Sequence, residues 1–261
     1  MVLSQNTSQF CRFCCCQPNI DWNVLDHEDP NQDIVKNMGE EAGANHLYFI
    51  EEQATWFGRT CSFCLPGWRK TKYLVHEGAD ASGALKFTHE KGWTCGQNML
   101  LMTGDSGNLR VPCCCFLPNL TTKDASGEVL GSTKYVCDKW LFVPRFDIFD
   151  AQGNSNYMLR PDTCCMGCCV LCSCTGNSDG MGTGQKTNCF KVPIYFRDPH
   201  TFEKLTGDPS VSALWTGWKK ECCTKRDMYD VVFPYDATQK QKATIIGSAL
   251  LFDITFSEQE N

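Results

Sequence analysis

A chain of 261 residues with 42% hydrophobic residues can bury a sizeable core, which excludes fibrous and intrinsically disordered proteins. Its net charge of −6, with 24 lysines and arginines scattered along the sequence, is not typical of a nucleic-acid-binding protein, and we expect no nucleic-acid partner. The N-terminal segment MVLSQNTSQF has neither the basic nor the apolar region of an export signal. We therefore expect an intracellular protein in a reducing compartment.

The twenty cysteines occur mostly in adjacent pairs and triplets, an arrangement that disfavours a disulfide framework. The first group, Cys14, Cys15 and Cys16, lies in an aromatic segment that is followed by an acidic, Asn- and Gln-rich stretch. This composition predicts a cysteine-bearing arm over residues 1–41 that precedes one domain over residues 42–261. Two interpretations of the arm's cysteines stay open: they make apolar contacts, or they carry acyl chains that anchor the arm to a membrane.

From His46 onward, short segments with strand character alternate apolar and polar residues, as in HLYFIEE, TKYLVHE and GALKFTHE. Asp/Gly turns recur between them at intervals of about twenty to twenty-six residues, which is the length of two strands with their turns. These turns are Asp80–Gly83, Asp105–Gly107, Asp124–Gly127 and Asp150–Gly153. Because no convincing amphipathic helix interrupts the pattern before the last thirty residues or so, the sequence predicts an antiparallel meander and not a parallel βαβ sheet.

Several of the later cysteines have the C-x-x-C spacing that can hold zinc at a tetrahedral centre. The candidate zinc ligands are Cys61, Cys64, Cys165, Cys168, Cys169 and Cys172. The pairs lack the fixed separation of a zinc ribbon, so structural zinc and buried free thiols stay as alternatives.

The segment Lys242–Phe256 is the longest run that is apolar around its whole circumference, and a helix of that kind has to be buried. As a helix it would be only about 22 Å long, against about 30 Å for a hydrocarbon core, and it contains Asp253. The sequence therefore predicts a core helix, around which the sheet closes. Its predicted core residues are Ile245, Ile246, Leu250, Leu251, Phe252 and Asp253.

A series of motifs in fixed order resembles the phospholipid scramblase family. The motifs are LYFIEE at Leu47–Glu52, PCCC at Pro112–Cys115, PRFDIFDAQGN at Pro144–Asn154, CCVLCSC at Cys168–Cys174, WTG at Trp215–Gly217, DMYDVVFPYD at Asp227–Asp236 and the apolar C-terminal segment. The resemblance covers about residues 46–258 and implies a tubby-like fold. That fold is all-β with one core helix: a closed antiparallel barrel of about twelve strands around a buried C-terminal helix.

The resemblance also implies membrane association through acylation, such as palmitoylation, of a poly-cysteine stretch. Cys113, Cys114 and Cys115 match the start of that stretch, although Phe116 and Leu117 stand where the family has further cysteines. The implied activity is calcium-triggered, energy-independent movement of phospholipids between leaflets. The implied location is the cytosolic face of a membrane.

The family's calcium segment aligns with residues 225–236, where Asp227, Asp230 and Asp236 are candidate ligands. Lys225 occupies the family's first acidic position, so one ligand oxygen is replaced by a cation. The sequence therefore predicts no calcium binding in the micromolar range, and no cofactor is assigned.

Two functions from different classes follow. The first is a scramblase-like protein that binds phospholipid membranes and moves lipids without ATP. The second is a non-catalytic barrel that serves as a structural or interaction component of a larger protein assembly, in the cytoplasm or the cytoskeleton. Neither requires bond-making chemistry, and the sequence nominates no nucleophile or general acid or base.

Overall fold

The computed structural model describes residues 1–5, 20–26, 45–53, 70–93, 117–136, 145–164, 169–170, 191–214 and 228–256. The strands in these ranges are β1 (Val2–Gln5), β2 (Asp21–Leu25), β3 (His46–Gln53), β4 (Thr71–Glu77), β5 (Leu85–Lys91), β6 (Asn119–Asp124), β7 (Val129–Tyr135), β8 (Phe146–Asp150), β9 (Ser155–Pro161), β10 (Thr163–Cys164), β11 (Cys169–Val170), β12 (Lys191–Arg197), β13 (Ser210–Leu214) and β14 (Met228–Val232). The helix α1 is Gln239–Phe256.

Twelve of these strands form a closed barrel in the order β1-β14-β13-β12-β9-β8-β7-β6-β5-β4-β3-β2, and every neighbouring pair is antiparallel. β10 and β11 form a separate two-stranded sheet. Helix α1 lies inside the barrel, where it packs mainly against β6, β7 and β8. The predicted fold class is confirmed.

The Asp/Gly turns form the hairpins that the sequence predicts. In the β6–β7 turn, Oδ1 of Asp124 accepts hydrogen bonds from the backbone N–H groups of Ser126, at 2.8 Å, and Glu128, at 2.9 Å. Gly127 follows with a φ of 91°, a value that glycine adopts without a steric penalty. Asp150 organises the β8–β9 turn in the same way. The Asp105–Gly107 turn lies outside the described residues.

The start of the chain differs from the predicted arm over residues 1–41. β1 pairs with β14 on one side and with β2 on the other, so both strands are needed to close the barrel. The side chains of Leu3, Trp22 and Val24 are completely buried. Burial of these apolar side chains and pairing of two otherwise open sheet edges explain why the segment joins the barrel.

Helix α1 begins three residues before the predicted Lys242 because a capping box precedes it. The backbone N–H of Thr238 donates to Oε1 of Gln241 at 2.8 Å, and the backbone N–H of Gln241 donates to Oγ1 of Thr238 at 3.4 Å. Further along, the ring of Phe252 meets that of Phe146 edge-on, with centroids 4.4 Å apart. Within the ranges given above, no helix has both the length and the apolar character needed to span a bilayer.

Candidate functional site

A cleft of about 410 Å³ opens at the end of the barrel where α1 begins. The first residues of β3, β5 and β7, the residues after β14 and the first turns of α1 line it. The antiparallel order of the strands places all of these positions at one end, which we call the cleft end. The end at which α1 finishes is called the far end.

The floor of the cleft is apolar. Phe87 and Ile246 are buried there, and Leu47 and Leu130 are half-buried beside them. The ring of Tyr48 meets that of Phe87 edge-on, with centroids 5.5 Å apart. This floor can therefore receive an aliphatic or aromatic group without losing a hydrogen bond.

Three lysines surround this floor. Nζ of Lys86 lies 2.8 Å from Oε2 of Glu77, and this hydrogen bond raises the pKa of the lysine. Nζ of Lys240 lies 3.5 Å from Oε1 of Glu128, with both side chains exposed. Nζ of Lys242 lies 5.7 Å from the centroid of the Phe233 ring, and no carboxylate of the described residues is within ion-pair distance of it. The cleft is therefore amphipathic and offers one lysine, Lys242, that is not paired with an acid among the described residues.

Polar side chains lie between the barrel wall and α1. Oγ1 of Thr133 and Oγ of Ser248 are 2.8 Å apart, and both residues are fully buried. Nδ1 of His89 is 3.0 Å from Oγ1 of Thr122, and burial lowers the pKa of this histidine to about 3. The first contact crosses the interface between sheet and helix, and the second joins β5 and β6 within the wall, so the interior is a packed core with internal hydrogen bonds.

The residues predicted for the core helix all lie in α1. Their exposed fractions are 0% for Ile245, 3% for Ile246, 1% for Leu250, 0% for Leu251, 1% for Phe252 and 1% for Asp253. The hydroxyl of Tyr229, on β14, donates a hydrogen bond of 3.5 Å to Oδ1 of Asp253. The one acid of the helix therefore has a partner inside the barrel.

The candidate calcium ligands are distributed along β14 and the turn after it. Asp230 is half-buried and lies opposite Val2 of β1 and Ser212 of β13. Asp236 is in the exposed turn that leads to α1, where its charge and hydrogen bond add to the effect of burial in raising the pKa of Tyr157. Asp227 and Lys225 lie outside the described residues, so the calcium site stays a prediction. The residues that can be described contain no cluster of three or more His, Cys, Asp or Glu suited to a metal ion.

The candidate acylation and zinc cysteines almost all lie outside the described residues. These are Cys14, Cys15, Cys16, Cys61, Cys64, Cys113, Cys114, Cys115, Cys165, Cys168 and Cys172. The exception is Cys169, whose backbone pairs with that of Cys164 between β10 and β11. Acylation and zinc binding therefore stay alternatives.

Sequence reasoning did not find the cleft. Lys86 is more than 150 residues from Lys240, so no local spacing could predict that both line one cavity. One local signal was available. The segment TQKQK at 238–242 combines a capping box with two lysines directly before the apolar run, which places positive charge where the helix enters the barrel.

Comparisons with known proteins agree on one family. A protein-family model described as Scramblase matches residues 201–259. Phospholipid scramblase family member 5 of Homo sapiens is 28% identical over 237 residues, which are 90% of this chain and 69% of that protein. Phospholipid scramblase 2 of Bos taurus is 30% identical over 154 residues, or 58% of this chain and 44% of its own length. Phospholipid scramblase 1 of Homo sapiens is 28% identical over 148 residues, or 56% and 38%. No solved structure matches the chain significantly.

Proposed function

We propose that the chain is a member of the phospholipid scramblase family, to which its matches point, and that it associates with phospholipid membranes and moves phospholipids between leaflets without ATP. The observation that carries this proposal is the family match over residues 201–259. That segment contains β13, β14 and α1, and thus both the wall that closes the barrel and the helix that fills it. The activity requires no nucleophile, because no covalent bond changes.

Attachment to the membrane would use the cysteine groups, which makes the cytosolic face of a membrane the expected location. One acyl chain gives only marginal, reversible binding, and stable anchoring needs a second signal. Cys113, Cys114 and Cys115 provide one candidate group, and Cys14, Cys15 and Cys16 provide another. Two such groups would satisfy the requirement for two signals.

A second candidate function, an interaction component of a larger assembly, is favoured by the packing of α1. The helix residues that face the wall are buried and in contact with it, so the described part of the barrel offers no internal path for a lipid headgroup. The amphipathic cleft could then hold an apolar side chain and a carboxylate of a partner protein.

Vesicles that carry a fluorescent phospholipid in both leaflets separate the two functions. A membrane-impermeant reductant bleaches the outer leaflet, and further loss of signal reports lipid movement. Protein added with and without calcium should accelerate that loss in both conditions, since we expect a calcium-independent activity. If the protein floats with the vesicles but does not accelerate the loss of the inner-leaflet signal, with or without calcium, the result would favour the interaction component.

A further inference from the structure

The cleft at the start of α1 has the size of a small-molecule site. Its volume of about 410 Å³ lies within the range of roughly 300–1,000 Å³ that is usual for such sites. A methylene group fills about as much space as a water molecule, roughly 30 Å³. The cleft therefore has room for roughly a dozen carbon groups, which is one alkyl chain and not the two chains of a diacyl phospholipid.

The floor of the cleft provides the apolar surface on which such a chain could lie. Phe87 and Ile246 are buried there, and Leu47, Tyr48 and Leu130 keep part of their apolar surface in contact with water. An alkyl chain on this floor would remove both its own surface and that of the floor from water. Each buried methylene group should then raise the affinity about threefold to fourfold.

The lysines around this floor leave one positive charge without a counter-charge among the described residues. Lys86 and Lys240 are each paired with a glutamate, so their charges are balanced at the rim. Lys242 is half-buried, and the ring centroid of Phe233 lies 5.7 Å from its Nζ. The partial positive charge at the start of α1, whose first-turn residues line the cleft, adds to the charge of Lys242. The cleft therefore favours a ligand with one negative charge next to its apolar part.

We propose that the cleft binds a single-chain amphiphile with one carboxylate, that is, a fatty acid of roughly a dozen carbons. Its alkyl chain lies on the apolar floor, and its carboxylate accepts a charge-assisted hydrogen bond from Nζ of Lys242. A phosphate monoester would bring nearly two negative charges to one unbalanced cation, so a carboxylate matches the site better. This inference goes beyond the proposed function, because it requires neither a membrane nor lipid movement.

Titration calorimetry of the full-length protein with dodecanoate, below the concentration at which it forms micelles, tests the proposal. We expect saturable binding of one molecule per chain. Affinity should fall about threefold to fourfold for each methylene group removed, from dodecanoate through decanoate to octanoate. Dodecyltrimethylammonium has the same chain and the opposite charge, and it should bind at least about tenfold more weakly. No saturable binding of dodecanoate, or equal binding of the cationic amphiphile, would overturn the proposal.

A pair of lysine variants tests the charged part of the site. Lys242→Gln removes the cation but keeps a good helix former, and it should weaken dodecanoate binding at least about tenfold. Lys134→Gln is the matched control, because Nζ of Lys134 also lies over an aromatic ring, 4.7 Å from the centroid of Phe149. Lys134 is near the far end of β7 and does not line the cleft, so this variant should bind like the wild type. Equal affinities of the two variants for dodecanoate would contradict the role of Lys242.

Ala243→Leu tests the apolar part of the site. Ala243 lines the cleft from α1, so the larger side chain should occupy part of the volume that the alkyl chain needs. The variant should lose more affinity for dodecanoate than for octanoate, since the shorter chain covers less of the floor. An unchanged ratio of the two affinities would contradict a chain on the floor. The series of fatty acids on the wild type gives the same information if this variant does not fold.

The outcomes for this site and for the proposed function can be separated. Binding of dodecanoate that depends on Lys242, without lipid movement in vesicles, would support the site and reject only the proposed function. Lipid movement without binding of dodecanoate would reject the site and leave the proposed function standing.

Discussion

Gly247 of α1 lies so close to His89 of β5 that a Cβ atom added to the glycine would stand 2.8 Å from Nδ1 of the imidazole. The same Cβ would be 2.8 Å from a terminal methyl group of Leu120. The helix therefore approaches the barrel wall at a position where only glycine fits without a shift. This contact fixes the depth and rotation of α1 in the barrel.

Gly247→Ala should lower the free energy of unfolding. Overpacking costs about 1–3 kcal/mol, and the better helix propensity of alanine offsets up to about 1 kcal/mol of that cost. Urea denaturation measures the difference. Gly92→Ala is the matched control, since the nearest atom to its added Cβ is 3.9 Å away.

A double-mutant cycle shows whether the clash is with His89. In a His89→Ala background, Gly247→Ala should cost less than in the wild type, because the imidazole no longer occupies the space. If the losses of unfolding free energy from the two substitutions simply add, the contact between Gly247 and His89 is contradicted.

Acid should destabilise the protein through His89. Burial lowers the pKa of this histidine to about 3 in the folded protein, against about 6.5 in an unfolded chain. Its neutral form therefore contributes stability that is complete above pH 6.5 and is lost as the pH falls from 6.5 towards 3. The slope approaches 1.4 kcal/mol per pH unit, which amounts to about 1.5 kcal/mol between pH 6.5 and pH 5.

The pH dependence can be assigned by substitution. Between pH 6.5 and pH 5 the wild type should lose unfolding free energy through His89. In His89→Asn this loss should be smaller by about 1.5 kcal/mol. His200→Gln, in an exposed turn, is the control and should keep the wild-type slope. The turn carboxylates do not interfere, because hydrogen bonds within their turns lower the pKa values of Asp124 and Asp150 from 3.8, below this range. A wild-type slope in His89→Asn would show that other groups cause the acid sensitivity.

Leu251→Ala should cost about 2–5 kcal/mol, because the side chain is fully buried and its removal leaves a cavity between helix and wall. Thermal and urea unfolding both report this loss. Val232→Ala removes an aliphatic group that is 43% exposed and should cost less than about 1 kcal/mol. An unchanged midpoint for Leu251→Ala would mean that α1 is not part of the cooperative core.

Most of the barrel could be predicted because the sequence patterns that specify it are local. Asp124, Asp150 and their glycines specify tight turns within four residues, and the apolar run of α1 specifies burial by itself. β1 and β2 could not be predicted in this way. Val2 of β1 pairs with Asp230, more than 220 residues away. With only four residues, β1 is also too short for an alternation of apolar and polar side chains to be recognised.

The cleft also depends on topology. Lys86 of β5 and Lys240 of α1 line one cavity only because the strand order brings the start of β5 beside the start of the helix. No local pattern in the sequence carries that information.

Calcium should not bind in the micromolar range. Two unit charges about 5 Å apart repel by roughly 3 kcal/mol at an effective dielectric constant of about 20, and a divalent ion doubles this repulsion. Lys225 brings such a cation to the position where the family has its first acid. Titration calorimetry should therefore show no heat at micromolar calcium. Tight binding that Asp227→Ala abolishes would reverse this conclusion, and Lys225→Asp should strengthen binding if the alignment of the segment is correct.

The most direct test of lipid movement is its initial rate in phosphatidylserine-containing vesicles without calcium, measured with the wild-type protein and in protein-free vesicles. The wild type should accelerate bleaching of the inner-leaflet probe. If the wild type floats with the vesicles and the inner-leaflet signal still persists as in protein-free vesicles, the chain does not move phospholipids.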